Sequence, residues 1–260
     1  MSRYVALGSS MAAGPGIRPS ADGAPFAAGR SARNYPHLVA EKLGLELVDV
    51  TYSGATTANV LTDPQDGAPP QVDALDGSED LVTVTVGGND AGYVPLLFAA
   101  AVPRLVRSLP LIGRRLRGQL DPTARDRALV VVAESLKEVG RTVRHRSPRA
   151  TVLFVDYLTV LPPVGAAPPL SDVDVALGRR MADTLERLTG EAAADTGCAW
   201  VRVAQASREH HAWSVEPWTT KFGVPLPGRP APLHPNAEGM RAIADLIGMV
   251  GRAGNPRSLR

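Results

Sequence analysis

The chain has 260 residues, enough for one large domain or two small ones. Its hydrophobic fraction of 44% and its charged fraction of 21% are those of an ordinary globular protein, and its net charge of +2 argues against a dedicated nucleic-acid-binding protein. The single cysteine, Cys198, excludes an internal disulfide and any multi-cysteine zinc or iron–sulfur site.

The apolar runs of the sequence predict neither a membrane-spanning helix nor a secretion leader. The longest run, Val94–Val102, has nine residues and contains Pro95, whereas a spanning helix needs about 20 residues. The first run, Tyr4–Leu7, is far too short for the core of a signal peptide. Because the only cysteine has no partner, we expect a cytoplasmic location.

Strand-like and helix-like segments alternate along the chain. Apolar or β-branched runs predict five strands, at Tyr4–Leu7, Leu45–Val50, Leu81–Val86, Thr151–Val155 and Ala199–Val203. Helical spacing predicts helices at Tyr35–Leu43, Pro70–Leu75, Thr123–Arg146, Asp172–Thr196 and Asn236–Val250. This alternation favours an α/β fold with a mostly parallel five-stranded sheet, covered on both faces, in a single domain that spans residues 1–260.

The segment 94–120 departs from this alternation. Leucines and valines there are interleaved with five arginines, at positions 104, 107, 114, 115 and 117. We interpret the segment as an inserted amphipathic element. Two roles remain open: a solvated arginine face on an ordinary helix, or a lid or membrane-surface contact through Arg104–Arg117.

Polar motifs follow the first three predicted strands and precede the last predicted helix. They are Gly8–Ser10, Ser53–Gly54, Gly87–Asp90 and His234–Pro235. Because sites in open α/β sheets form at the carboxyl ends of the strands, we expect these motifs to converge.

The residue types in these motifs fit nucleophilic acyl transfer. A serine becomes a nucleophile when a base removes its proton, and histidine is the usual base near neutral pH. The backbone amides of Ser10 and Gly54 and the side-chain amide of Asn89 could then donate to the oxyanion. Each motif alone also fits a turn or a helix cap, but the four in this order point to catalysis.

The same motifs resemble the sequence blocks of the SGNH (GDSL) hydrolase family over nearly the full length of the chain. Gly8–Ser10 stands where the family has Gly-Asp-Ser, and Gly87–Asp90 matches its asparagine block. The resemblance implies that Ser10 is the nucleophile and His234 the base. It also implies a flavodoxin-like three-layer α/β/α sandwich and esterase or lipase activity on a small-molecule or lipid ester.

Two positions differ from the family pattern. Ser9 replaces the aspartate of the first block, and Ala231 replaces the aspartate three residues before His234. We expect the backbone carbonyl of Ala231 to orient the imidazole instead, which would give a Ser–His dyad. The alternative is a catalytically weak or inactive SGNH-fold protein that binds an acyl or glycan ligand.

A substrate site is expected next to Asn89, because an apolar segment follows it directly. The residues predicted to wall an acyl group are Leu96, Leu97, Phe98, Leu105 and Leu109. We expect no metal and no cofactor. Adjacent His210 and His211 would point to opposite faces of a strand, and Gly14–Gly16 does not fit a nucleotide-binding loop.

Overall fold

A computed structural model describes residues 2–224, 226 and 228–254, and these residues fold around one five-stranded sheet. The strands are β1 (Arg3–Gly8), β2 (Glu46–Asp49), β3 (Leu81–Thr85), β4 (Thr151–Val155) and β5 (Ala199–Val201). Their order is β2-β1-β3-β4-β5, and every neighbouring pair is parallel. This confirms the predicted parallel sheet.

Helices connect the strands and cover both faces of the sheet. They are α1 (Ser10–Ala13), α2 (Tyr35–Leu43), α3 (Thr57–Leu61), α4 (Gly88–Ala91), α5 (Tyr93–Ala101), α6 (Arg104–Arg107), α7 (Pro110–Gln119), α8 (Pro122–Arg146), α9 (Asp172–Asp195), α10 (Val203–Ala206) and α11 (Ala237–Gly254). The predicted helix Pro70–Leu75 is a single 3-10 turn, Gln71–Ala74.

Alternate residues of the strands enter two separate cores. Val5 and Val82 pack with the apolar faces of α5, α8 and α9 on one side of the sheet. Tyr4 and Leu153 pack with α2 and α11 on the other side. Because strand side chains alternate between faces, each strand contributes to both cores, and the three-layer α/β/α sandwich is confirmed.

The ends of the long helices follow from capping residues in the sequence. The side chain of Asn34 accepts a hydrogen bond from the backbone of His37 at the start of α2, and Gly44 ends that helix with φ 64°. Asp121 and Ser171 cap α8 and α9 in the same way. These caps explain why the predicted helix bounds agree closely with the structure.

The carboxyl end of β1 is built so that Ser9 and Ser10 follow without a connecting loop. At Gly8, φ is +151°, and a Cβ there would lie 2.6 Å from the carbonyl oxygen of Thr85. The side chain of Gln71 bonds both the N–H and the C=O of Gly8, at 2.7 and 3.0 Å. Only glycine fits this close approach of β1 to β3.

The segment 94–120 forms most of α5 and all of α6 and α7. Helix α5 is packed against α9, and α7 against α8. In the described part of the chain, no helix combines the length and the apolar character needed to cross a membrane.

Candidate active site

Ser10 and His234 are 224 positions apart in the chain and meet in the structure. Ser10 is the first residue of α1, and His234 lies in the loop before α11. Nε2 of His234 is 2.8 Å from Oγ of Ser10, and both residues are 8% exposed. This is hydrogen-bond distance in a site that is largely closed to water.

The other imidazole nitrogen of His234 faces a backbone carbonyl, but not the predicted one. Nδ1 lies 2.7 Å from the carbonyl oxygen of Pro232, so the expectation that Ala231 fills this role is wrong. A carbonyl only accepts, so Nδ1 must carry the proton and Nε2 is left to accept from Ser10.

The backbone at Leu233 explains why the carbonyl is that of Pro232. Leu233 has φ +62°, a left-handed conformation that is unusual for leucine, and it is 1% exposed. This turn brings the carbonyl of Pro232 back to His234. The carbonyl of Ala231 instead accepts from the hydroxyl of Thr220, at 2.6 Å.

The environment of His234 favours the neutral imidazole. Burial lowers its pKa from the ordinary value, and the hydrogen bond to the carbonyl of Pro232 opposes this shift. Among the described residues, no aspartate or glutamate forms a hydrogen bond or ion pair with His234. The neutral form, which can act as a base, is therefore present at pH 7.

The three predicted oxyanion donors follow β1, β2 and β3: Ser10 begins α1, Gly54 lies in a loop, and Asn89 is the second residue of α4. Gly54 has φ +82°, which a side chain would strain. Within the described residues, neither the N–H of Ser10 nor the N–H of Gly54 has an acceptor, so both are available to a ligand. One amide hydrogen of Asn89 donates to the carbonyl of Ala55, at 2.8 Å, which leaves the second free to donate elsewhere.

Two side chains that the sequence analysis did not identify hold these loops. Nε2 of Gln65 donates to the carbonyl of Ser53, at 2.9 Å. This fixes the plane of the Ser53–Gly54 peptide and therefore the direction of the Gly54 N–H. The hydroxyl of Tyr157 accepts from the N–H of Gly88, at 2.9 Å, beside Asn89. No motif in the sequence marks either residue.

The predicted acyl wall is wrong for Leu96 and Leu97. Both are fully buried in the core. Leu97 packs closely on α9, since a Cβ on Gly178 would lie only 3.0 Å from one of its methyl carbons. Phe98 packs edge-to-face on Phe222, with ring centroids 5.4 Å apart.

Leu105 and Leu109 lie on the outer surface, with 80% and 47% of their area exposed. A groove of about 640 Å³ lies elsewhere, and its lining includes Pro15 and Ser53, the residue before Gly54. Phe26, at its edge, is fully exposed.

Comparisons with known proteins identify the family of the chain. The model of the GDSL-like lipase/acylhydrolase family matches residues 6–242. The chain is 33% identical to Lipase 2 of Streptomyces coelicolor, over 93% of this chain and 83% of that protein.

Two solved structures share the fold, each with 24% sequence identity. Phospholipase A1 from Streptomyces albidoflavus NA297 has a TM-score of 0.77 and covers 95% of this chain and 98% of its own. The extracellular lipase from Streptomyces rimosus has a TM-score of 0.78 and covers 96% and 99%. The chain belongs to the GDSL-like lipase/acylhydrolase family, the SGNH hydrolases, and is a carboxylic ester hydrolase of that family.

Proposed function

We propose that the protein hydrolyses carboxylic esters through an acyl-enzyme, with Ser10 as the nucleophile and His234 as the base. The carbonyl of Pro232 takes the place of the triad acid. The observation that carries this proposal is the hydrogen-bonded series from Ser10 Oγ to His234 Nε2, at 2.8 Å, and from His234 Nδ1 to the Pro232 carbonyl, at 2.7 Å.

The steps follow from this geometry. Nε2 of His234 takes the proton from Ser10 as Oγ attacks the ester carbon, and the N–H groups of Ser10 and Gly54 and the amide of Asn89 bind the oxyanion. The imidazolium then donates its proton to the leaving alkoxide, which departs as the alcohol. Water, deprotonated by His234, attacks the acyl group and releases the carboxylic acid and free Ser10.

A p-nitrophenyl ester assay on Ser10→Ala and Ser9→Ala tests the identity of the nucleophile. Ser10→Ala should lose turnover by about 10³-fold or more, because the attacking oxygen is gone. Ser9→Ala is the matched control and should lose far less. An inactive wild-type protein would favour the alternative, an SGNH-fold protein that only binds an acyl or glycan ligand.

For the substrate, we propose a lipid ester presented at an anionic surface, which the segment Arg104–Arg117 contacts. Arg107 pairs with Asp174 at 3.0 Å, whereas Arg104, Arg114 and Arg115 are exposed. The segment 94–120 contains no acidic residue, and Leu105 is exposed among the arginines. An exposed arginine contributes about 1 kcal/mol near an anionic membrane, and Leu105 adds apolar area.

Co-sedimentation with vesicles tests this surface. Wild-type protein should pellet with phosphatidylglycerol vesicles and not with phosphatidylcholine vesicles, and added salt should weaken binding. The double variant Arg114→Glu/Arg115→Glu should lose binding and keep its rate on a soluble ester. The double variant Arg141→Glu/Arg187→Glu, at exposed positions on α8 and α9, changes the net charge by the same amount and is the control. Equal binding by both variants would contradict the proposed contact.

A further inference from the structure

We propose that Thr220 is the positioning residue that lets a backbone carbonyl replace the missing acid, an inference that rests on the proposed function. Its hydroxyl donates to the carbonyl of Ala231, at 2.6 Å, and accepts from the N–H of His234, at 3.2 Å. One side chain therefore joins the first and last residues of the turn that presents the carbonyl of Pro232 to Nδ1.

The turn needs stabilising contacts because one of its residues, Leu233, has an unfavourable backbone conformation. Leu233 has φ +62°, and leucine disfavours this region because its Cβ crowds the backbone. A relaxed Leu233 would return to negative φ and swing the carbonyl of Pro232 away from His234. The surrounding contacts must therefore hold the strained conformation.

The contacts around Thr220 supply that hold. Its backbone N–H donates to the carbonyl of His234, at 2.9 Å, and Thr219 forms an antiparallel bridge with Pro235. The N–H of Ala231 donates to the carbonyl of Pro15, at 2.9 Å. The turn is closed by the backbone hydrogen bond from the N–H of His234 to the carbonyl of Ala231, at 3.3 Å, and the hydroxyl of Thr220 adds a side-chain link between the same two residues.

The geometry also assigns the two carbonyls different tasks. An aspartate at position 231 would reach Nδ1 with a side chain, but Ala231 offers only a carbonyl, and that carbonyl is bound to Thr220. With Ala231 fixed in this way, the next carbonyl, that of Pro232, is the one turned towards the imidazole. Together with the N–H of His234, which also bonds the carbonyl of Ala231, Thr220 thus favours the conformation in which the carbonyl of Pro232 orients the base.

The test compares Thr220→Val with Thr220→Ser. Valine has nearly the shape of threonine but no hydroxyl, so the turn should relax and the base should lose its alignment. We expect kcat on a p-nitrophenyl ester to fall about 10- to 100-fold with little change in KM. Serine keeps the hydroxyl and should restore kcat. Thr219→Val is the matched control, because the hydroxyl of Thr219 donates to Thr159, at 3.3 Å, and not to the turn.

The pH profile separates positioning from general damage. Neutral His234 is the active form. Burial lowers the pKa of His234, and the hydrogen bond from Nδ1 to the carbonyl of Pro232 raises it. No charged side chain of the described residues contributes to the shift of this pKa. Loss of this bond in Thr220→Val should lower that pKa and move the acidic limb of kcat/KM to lower pH. Thr219→Val and Thr220→Ser should keep the wild-type limb.

A ¹⁵N NMR titration of His234 in the same proteins measures its pKa without turnover. The proposal predicts a lower His234 pKa in Thr220→Val than in the wild type. A slow Thr220→Val variant with the wild-type pKa, a fully active one, or a failure of serine to rescue would overturn it. An inactive wild-type enzyme would instead count against the proposed function, and the titration would still decide the role of Thr220.

Discussion

Asn89 is the one proposed oxyanion donor that comes from a side chain, and it can be tested without disturbing the backbone. Asn89→Ala should lower kcat by about 10²- to 10³-fold with little change in KM, because the amide is used mainly in the transition state. Steady-state kinetics on a p-nitrophenyl ester would measure both values. A rise in KM at unchanged kcat would place Asn89 in ground-state binding instead.

The hydrogen-bond acceptor of His234 Nδ1 is not marked by any sequence motif. The motifs identified Ser10 and His234 from the sequence because serine and histidine in that order carry a recognisable chemistry. The carbonyl of Pro232 could not be identified, because its position depends on the +62° φ of Leu233, a conformation that leucine rarely adopts. Gln65 was missed for a related reason: its role depends on one hydrogen bond to a backbone carbonyl 12 residues away.

The side chain of Gln65 holds the loop that contains Gly54, through its hydrogen bond to the carbonyl of Ser53. Gln65→Glu keeps the length of the side chain but removes the N–H that holds the carbonyl of Ser53, so the Gly54 N–H should lose its alignment. We expect kcat to fall about tenfold or more with KM little changed. Gln119→Glu, on α7, is the matched control and should keep the wild-type rate. Unchanged kinetics in Gln65→Glu would show that the Ser53–Gly54 peptide is held by other contacts.

At the scale of elements, α5 shows where apolar periodicity gives too little information. Its residues are apolar on every side, and a helix of this kind is buried rather than amphipathic. The sequence therefore could not tell which leucines face a substrate, and Leu96 and Leu97 proved to be core residues between α5 and α9. Helices α3 and α4 escaped prediction because five and four residues are too few for a helical pattern.

Leu97→Ala tests this reassignment. Truncation of a fully buried leucine should lower the free energy of unfolding by about 2–5 kcal/mol, as urea denaturation would measure. The ratio of rates on octanoyl and acetyl esters should not change, because Leu97 does not face the site. A lower octanoyl preference with unchanged stability would restore Leu97 to the acyl wall.

At the scale of the whole molecule, the carboxyl of Asp156 couples stability to pH. It follows β4, is 2% exposed, and accepts from the indole N–H of Trp200 and the N–H of Ala204, at 2.9 and 2.8 Å. Burial raises its pKa to about 7. In the unfolded chain, Asp156 ionises near pH 4. Between about pH 4 and 7, the free energy of unfolding therefore falls as the pH rises, because only the unfolded state loses this proton.

Asp156→Asn removes this titration and keeps an oxygen that can accept from Ala204. The Tm of the wild type should therefore fall from pH 5 to pH 8 by more than the Tm of the variant does. Differential scanning calorimetry at both pH values measures the difference. Parallel pH profiles for the two proteins would mean that Asp156 is ionised in the folded state well below pH 7.

In the proposed mechanism Ser10, activated by His234, forms the acyl-enzyme, and covalent labelling tests this step most directly. After reaction with a fluorophosphonate ester, digestion and mass spectrometry should find one adduct, on Ser10. His234→Ala should lose the adduct or form it far more slowly, because the serine keeps its proton. An adduct on Ser9, or labelling of Ser10 at the wild-type rate in His234→Ala, would contradict the account.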